Sequence, residues 1–519
     1  MAFFRFSSTG DIPRGVATGL VDDVAALALT PVGSGAVLHS DDVVVAHRPH
    51  SVEIRYGDVA DGAHALVRHD EGADVVTIDA DMTGQRTARY AAKDGAVHVS
   101  SHDIGLADVV PYAVDELSRL SLEVMGSSMG DASLIRGIGT ARAGRRTTVA
   151  ITTGAVDVVD LPEPSGGTVM EAAVAHLADR LPPGPVQAEL SAGYDSRASL
   201  AATLACKSAS DIHAFSEGPA DSTDVVVARE IARRAGVPFE RRETPGPPDV
   251  DVFLRAWTRA ALENNGHYDI EVLASSWGGR RDVVVCGDGA EGFRSKFRGM
   301  PVPWRDAAMR TGSIRDVVRR TCPVPEPLTA RFDEMLLPLL ERAKRPANAV
   351  DRYYFAQRFA VWNQKLARSG GAERRPSPFY SRRAQSIFLN ESPCEAGRHM
   401  ELHRDLVRAH LPSALDLPVN GGATLSASGP GMLNELRYLS GEYRAKVVRR
   451  LDRRRRFGGA DLMAARRAVV TGFIEAAARE DDVAAAVREE RALGGIPAMR
   501  RFLALYEDAA RRFGTPRRV

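Results

Sequence analysis

Val186–Ala205 reads VQAELSAGYDSRASLAATLA. Its first five residues, Val186–Leu190, form a short strand pattern, and apolar spacing returns as a helix from Arg197 to about Leu204. Between them lie the small residues Ser191, Ala192 and Gly193. At the carboxyl end of a parallel strand such residues let backbone N–H groups converge on one point. The hydroxyl of Ser196 and the amino end of the next helix face the same place, which makes an anion hole suited to phosphate. Asp195 belongs in such a hole only with a cation beside it, and Mg²⁺ shared with the phosphates satisfies that need. The bland alternative is an ordinary tight strand-to-helix turn, capped by Asp195 or Ser196.

The surroundings repeat the strand–helix rhythm. A helix is expected over Val169–Leu181, a strand over Ile212–Ser216, a helix over Asp224–Ala235 and a short buried strand over Asp282–Cys286. Alternation of this kind predicts an α/β unit built on a parallel sheet. Upstream, β-branched runs such as Val43–Ala46, Val52–Tyr56, Val75–Ile78 and Val97–Ser100 predict a mostly antiparallel sheet. A helix near Val114–Met125 and strands at Arg146–Thr152 and Ala155–Val159 follow. The Pro- and Gly-rich Leu161–Gly167 marks a domain boundary or, alternatively, a long surface loop. After Arg342 the chain reads as largely helical and Arg-rich, with a basic run at Arg449–Arg456 that is most simply a solvated face.

Bulk properties narrow the function classes. A length of 519 residues predicts two or three domains. The formal net charge of +1 provides no global field toward nucleic acid or anionic lipid. No run is apolar and long enough to serve as a signal peptide or to span a bilayer. Cys206, Cys286, Cys322 and Cys394 show neither C-x-x-C spacing nor a disulfide framework, so a cytoplasmic location is expected. Zinc spacing is absent, and no G-x-G-x-x-G follows a strand.

A second element sharpens the reading. VVVCGDGAEGF, Val283–Phe293, places a Gly-rich turn with two acids at the end of the next buried strand. The pair of elements resembles the synthetase domain of the N-type ATP pyrophosphatases: asparagine synthetases, β-lactam synthetases and lasso-peptide cyclases. LSAGYDS is similar to that family's SGGxDS loop, with Ala192 for its second-position Gly. The resemblance implies ATP and Mg²⁺ as cofactors, with Asp195 and Glu291 on the metal. It implies that Leu190, Ser191, Gly193, Asp195, Ser196, Phe215, Ser216 and Gly287 line the nucleotide, and that Asp288 handles the proton of an attacking amine. PSPFYSRRAQSIF, from Pro376, is similar to the PFLD segment, and HMELHRDLVRAHLP, from His399, to the K-x-x-L-R helix, which makes Arg404 a candidate at phosphate. DADMTGQRTARY, from Asp79, and IRGIGTARAGRRTTV, from Ile135, resemble the glutaminase-like domain that precedes these synthetases. Altogether the likeness spans about residues 50–415.

The chain departs from the family at several positions. Position 2 is Ala2 where a glutaminase has its nucleophilic Cys, so no glutaminase activity is expected. The family Lys after Leu-Pro falls near Asn420, the Lys of K-x-x-L-R is Met400, and Lys446 is either a distant substitute or a solvated surface residue. His267, Tyr268 and Asp269 stand where the family lines its acceptor pocket, though a functionless polar loop is the simpler reading. Trp257, Trp277 and Trp362 read as core or pocket wall.

The expected architecture is therefore α/β. Residues 1–163 are read as a degenerate glutaminase-like α+β sandwich, 168–430 as a parallel-sheet ATP-pyrophosphatase domain and 431–519 as a helical extension. The expected reaction is adenylation of a small-molecule or peptide carboxylate, then amide formation with an amine, in specialised biosynthesis. The rival expectations are a non-amine acceptor, or a catalytically impaired relative that still binds nucleotide. Neither nucleic acid nor membrane is an expected partner, and a homodimer stays open.

Overall fold

The computed structural model describes residues 4–8, 28–32, 35–39, 43–48, 51–56, 65–70, 72–80, 83–84, 87–125, 128–163, 165–243, 265, 283–294, 326–334, 351–352, 354–360, 375–390, 401–419 and 423–424. The expectations for Ala2, His267–Asp269, the three tryptophans 257, 277 and 362, His399, Met400, Asn420, Lys446, Arg449–Arg456 and the extension 431–519 lie outside these residues.

Alternating apolar residues build the first part of the chain. The strands are β1 (Phe4–Ser7), β2 (Ala28–Val32), β3 (Gly35–His39), β4 (Val43–Arg48), β5 (Ser51–Tyr56), β6 (Ala65–Asp70), β7 (Val75–Asp79), β8 (Arg89–Lys93) and β9 (Ala96–Ser100). Helix α1 (Glu116–Met125) precedes β10 (Gly139–Thr140), β11 (Arg145–Ala150) and β12 (Val156–Asp160). They form two antiparallel six-stranded sheets, ordered β10-β8-β9-β1-β3-β2 and β12-β11-β7-β6-β5-β4. Phe6, Val97 and Val99 of the first sheet share one buried cluster with Ile54, Val67, Val76, Ile78 and Val149 of the second. Two sheets thus pack face to face, each burying alternate residues. Asp94 and Gly95, both at positive φ (53° and 72°), make the two-residue β8–β9 hairpin that an Asp-Gly pair favours.

The described residues of the 161–167 stretch form no regular element, but they are tied down. Arg382 donates to the Pro162 carbonyl (2.5 Å) and Arg383 to that of Gly166 (2.8 Å), while Glu163 pairs with Arg352 at 3.0 Å. Helix α2 (Val169–Ala178) then opens with a full capping box between Thr168 and Glu171. Next come β13 (Val186–Glu189), α3 (Tyr194–Cys206), β14 (Ile212–Glu217), α4 (Thr223–Ala235), β15 (Phe239–Arg242) and the two-residue β16 (Val284–Val285). Helices α5 (Arg382–Asn390) and α6 (Glu401–His410) and the hairpin β17 (Pro418–Val419)–β18 (Ala423–Thr424) complete the described chain. Among these residues no helix is long and apolar enough to cross a membrane.

The molecule is therefore mixed α/β with a parallel sheet, in the order β15-β14-β13-β16. The chain runs outward from β13 through β14 to β15, then returns to pair β16 on the other side of β13. The switch point thus lies between β13 and β16, where open parallel sheets leave a crevice beyond the strand ends.

Two of the differences from expectation bear on the parallel sheet. Helix α3 starts at Tyr194, not Arg197, because extended Gly193 serves as its N-cap and Asp195 meets the positive end of the helix within the first turn. The turn at Gly236–Val237 leads into a strand, β15, that sequence patterning did not signal. Its sequence, FERR, carries one apolar residue, and an edge strand needs no more.

Candidate functional site

The loop after β13 is held by its own hydroxyls. The Ser191 N–H donates to Ser196 Oγ (3.0 Å), the two serine hydroxyls lie 2.9 Å apart, and the Gly193 N–H donates to Ser191 Oγ (3.1 Å). The Ala192 N–H donates to Asp224 Oδ1 (2.9 Å) in the first turn of α4. Three backbone donors of the expected anion hole are thus already engaged within the protein. The amino end of α3, whose cap residue Gly193 has no side chain to accept a bond, is the part of the cradle best placed to meet an anion.

The second loop closes on this one across the switch point. A Cβ at Gly287 would stand 2.8 Å from both the Asp195 carbonyl carbon and the Ser196 nitrogen, so only glycine permits the approach. Ser199 of α3 fastens the contact by donating to the Cys286 carbonyl at 2.7 Å, a fully buried bond. A Cβ at Gly289, where φ is +85°, would stand 2.8 Å from the Tyr380 ring and 2.9 Å from that of Phe359. Glu291 sits half-buried on the 3-10 turn Ala290–Arg294 that follows.

Asp288 is oriented through one oxygen. Its Oδ2 accepts from the Cys286 thiol (3.1 Å) and from Arg375 Nε (3.2 Å), whereas Oδ1 accepts no hydrogen bond among the described residues. Arg375 also donates to Glu189 Oε2 at 2.8 Å and so bridges the ends of β13 and β16. Ser377 donates to the Asp288 carbonyl (2.7 Å). Burial and the neighbouring Asp288 carboxylate push both the Cys286 thiol and the Tyr380 phenol well above their ordinary pKa values, so both stay protonated at neutral pH.

Helix α6 packs against α3. The fully buried His403 places Nε2 3.0 Å from Asp195 Oδ1 and stacks on Phe379, with ring centroids 5.2 Å apart. Arg404 is buried beside it, with Nε 3.8 Å from Asp405. Arg197, also fully buried, donates to the carbonyls of Ala414 (2.8 Å), Leu417 (3.0 Å) and Pro418 (3.0 Å). Burial draws its pKa down to about 10, still charged at neutral pH, and the three carbonyls answer that charge.

The chain matches no protein-family model and no curated protein. Its chemistry is therefore read from these side chains.

Of the residues expected at the site, Ser191, Gly193, Asp195, Ser196, Gly287 and Asp288 gather at the switch point. Leu190 is buried and donates its N–H to the Phe215 carbonyl. Phe215 and Ser216 are buried as well, and the Arg242 guanidinium covers the Phe215 ring at 3.8 Å. These three serve the sheet in this conformation. Among the described residues no three His, Cys, Asp or Glu side chains converge as a metal site. Mg²⁺ usually takes one or two carboxylates and completes its shell with phosphate oxygens and water, so the side chains of Asp195 and Glu291 are donors of the type such a metal takes.

Sequence reading missed His403, Arg375, Asp224 and Arg197. Only Asp224, an acid in the first turn of a helix that follows a strand, carried a local signal. The other three gain their roles from partners 87 to 221 positions away.

Proposed function

We propose that this protein activates a carboxylate with ATP, releasing pyrophosphate, and passes the acyl group to an amine to form an amide and AMP. The observation that carries the reading is the direct contact of the CGDG turn with the first turn of α3, made at a switch point of the parallel sheet. A helix amino end and acid-bearing loops from two adjacent strand ends thereby meet, a combination that suits a metal-bound triphosphate.

In this reading the amino end of α3 and the Ser191–Ser196 hydroxyl pair receive phosphate oxygens, and Asp195 and Glu291 hold Mg²⁺. Bound there, the metal would neutralise charge on the departing pyrophosphate. Asp288, fixed through Oδ2, turns Oδ1 to the incoming N–H and accepts its proton as the C–N bond forms. Arg404 acts near phosphate, and the Glu189–Arg375–Asp288 bridge lines the mouth of the crevice. The two antiparallel sheets are a glutaminase-like sandwich without a nucleophile; all four cysteines lie after residue 200. The amine therefore comes from an amino group of the same or a second molecule.

The test is ATP–pyrophosphate exchange over a panel of small-molecule and peptide carboxylates, in wild type and Asp195→Ala. Exchange that requires both a carboxylate and Asp195 supports the reading; absence of ATP binding, or full activity in the variant, sinks it. One observation favours a second reading, an impaired relative that binds nucleotide without turnover: the Ser191, Ala192 and Gly193 N–H groups are already engaged. That reading predicts ATP binding without exchange over the whole panel.

A further inference from the structure

Asp195 sits in the first turn of α3. The Ser191 and Gly193 N–H groups are spent on the two serine hydroxyls. A hydrogen bond to its carboxylate comes from His403, 208 positions away, whose Nε2 lies 3.0 Å from Oδ1. His403 cannot swing. It has no exposed surface, and its ring lies at 22° to that of Phe379, itself fully buried. The turn carrying Phe379 is the one that secures the second loop: Ser377 Oγ accepts from the Phe379 N–H and donates to the Asp288 carbonyl. One turn thereby sets the place of both Asp195, through the stacked imidazole, and Asp288, through its backbone.

We propose that His403 is the positioning residue of the metal site: its Nε2–H holds Asp195 Oδ1 so that the carboxylate is preset for the divalent cation that accompanies the nucleotide. The inference rests on the assignment of Asp195 as a metal ligand above. The bond from the buried imidazole favours one rotamer of the Asp195 side chain, so the cation meets a carboxylate already oriented. Groups that orient a metal ligand from behind typically change metal affinity by about 10- to 100-fold. A structural role alone, filling the space between α6 and Phe379, would leave that affinity unchanged.

The experiment uses the full chain, Mn²⁺ as the probe and a non-hydrolysable ATP analogue, with bound Mn²⁺ read by electron paramagnetic resonance. His403→Phe keeps a stacking ring without a donor, and His403→Gln restores an N–H at similar reach. Metal-free thermal unfolding reports separately on packing. The expected result is a Mn²⁺ affinity at least about tenfold weaker in His403→Phe and within about threefold of wild type in His403→Gln. Wild-type affinity in His403→Phe, or equal weakness in both variants, overturns the proposal. If His403→Phe does not fold, His403→Met, which fills the space without a donor, takes its place: a loss of about tenfold upholds the role, and wild-type affinity refutes it. If wild type itself binds no Mn²⁺ with nucleotide, the metal-site assignment fails and this proposal falls with it, an outcome distinct from equal binding in wild type and variants.

Discussion

Gly287 and Asp195 meet backbone to backbone: a Cβ on Gly287 would come within 2.8 Å of the Asp195 carbonyl carbon and 2.9 Å of its Cβ. Neither obstacle is a flexible side-chain tip, so the two loops must separate to admit a methyl group. Gly287→Ala is expected to lower stability by about 1–3 kcal/mol, as overpacking does. It should also reduce pyrophosphate exchange by a larger factor than that stability loss explains. Urea unfolding and exchange rates on the same preparation check the pair of effects; unimpaired exchange would remove the contact from the site.

Arg197 is the buried strut between α3 and the 412–418 segment. Arg197→Met leaves the carbonyls of Ala414, Leu417 and Pro418 without their donor. The expected loss is about 3 kcal/mol, since stranding a buried partner forfeits its full desolvation cost. Arg197→Lys, a point charge without the planar fork, should recover part of it. Chemical denaturation of the three proteins gives the order wild type, Lys, Met.

Asp288 separates the two half-reactions. Its Oδ2 is committed to Cys286 and Arg375, and Asp288→Asn retains an oxygen that can accept those bonds. The variant should therefore keep carboxylate-dependent pyrophosphate exchange while amide formation falls by about 10²–10⁴-fold, the usual worth of a positioned general base. Product analysis by mass spectrometry beside the exchange assay distinguishes them. An equal loss of both would assign Asp288 to activation instead.

Cys286 should be chemically silent in the native protein. Burial, reinforced by Asp288, holds its thiol well above the ordinary range, and only the thiolate is alkylated at a useful rate. Cys206 is raised as well, by burial. Iodoacetamide at pH 8 should leave both unlabelled until denaturant is added, as peptide mass mapping would report.

One ion pair predicts a pH dependence. Burial alone would raise the Asp115 carboxyl, but hydrogen bonds from Arg331 and Ser118 outweigh it and hold the pKa below its ordinary value. A carboxyl lowered by folding stabilises the native state above its unfolded pKa, near 4. That contribution is lost as pH falls through the lowered value. Arg331→Met should therefore be less stable than wild type at pH 6, by on the order of 1 kcal/mol or less for a pair this near the surface. The gap should narrow as pH falls below about 4 and through the lowered value, as urea midpoints measured across that range would show.

Strand periodicity in the front sheets and strand–helix alternation around Val186–Ala205 were both legible, because each is written within five to fifteen consecutive residues. The start of α3 was not. SAGYDS reads as one loop, yet Gly193 ends the extended chain and Tyr194 already turns helical. Leu161–Gly167 reads as a loose connection for a similar reason: its Pro and Gly content is local, while Arg352, Arg382 and Arg383, which bind it, lie some 190 to 220 positions away.

The sequence by itself determined which residues can make strands and helices and that two small, acid-bearing loops end two parallel strands. Side-chain period and glycine content are local properties, and they sufficed for that. The tertiary structure decided that the loops touch at Gly287 and Asp195, that Phe215 turns to Arg242, and that His403 faces Asp195. Those pairings depend on sheet order and on α6 folding back over α3, and no spacing along the chain encodes a partner 208 residues distant.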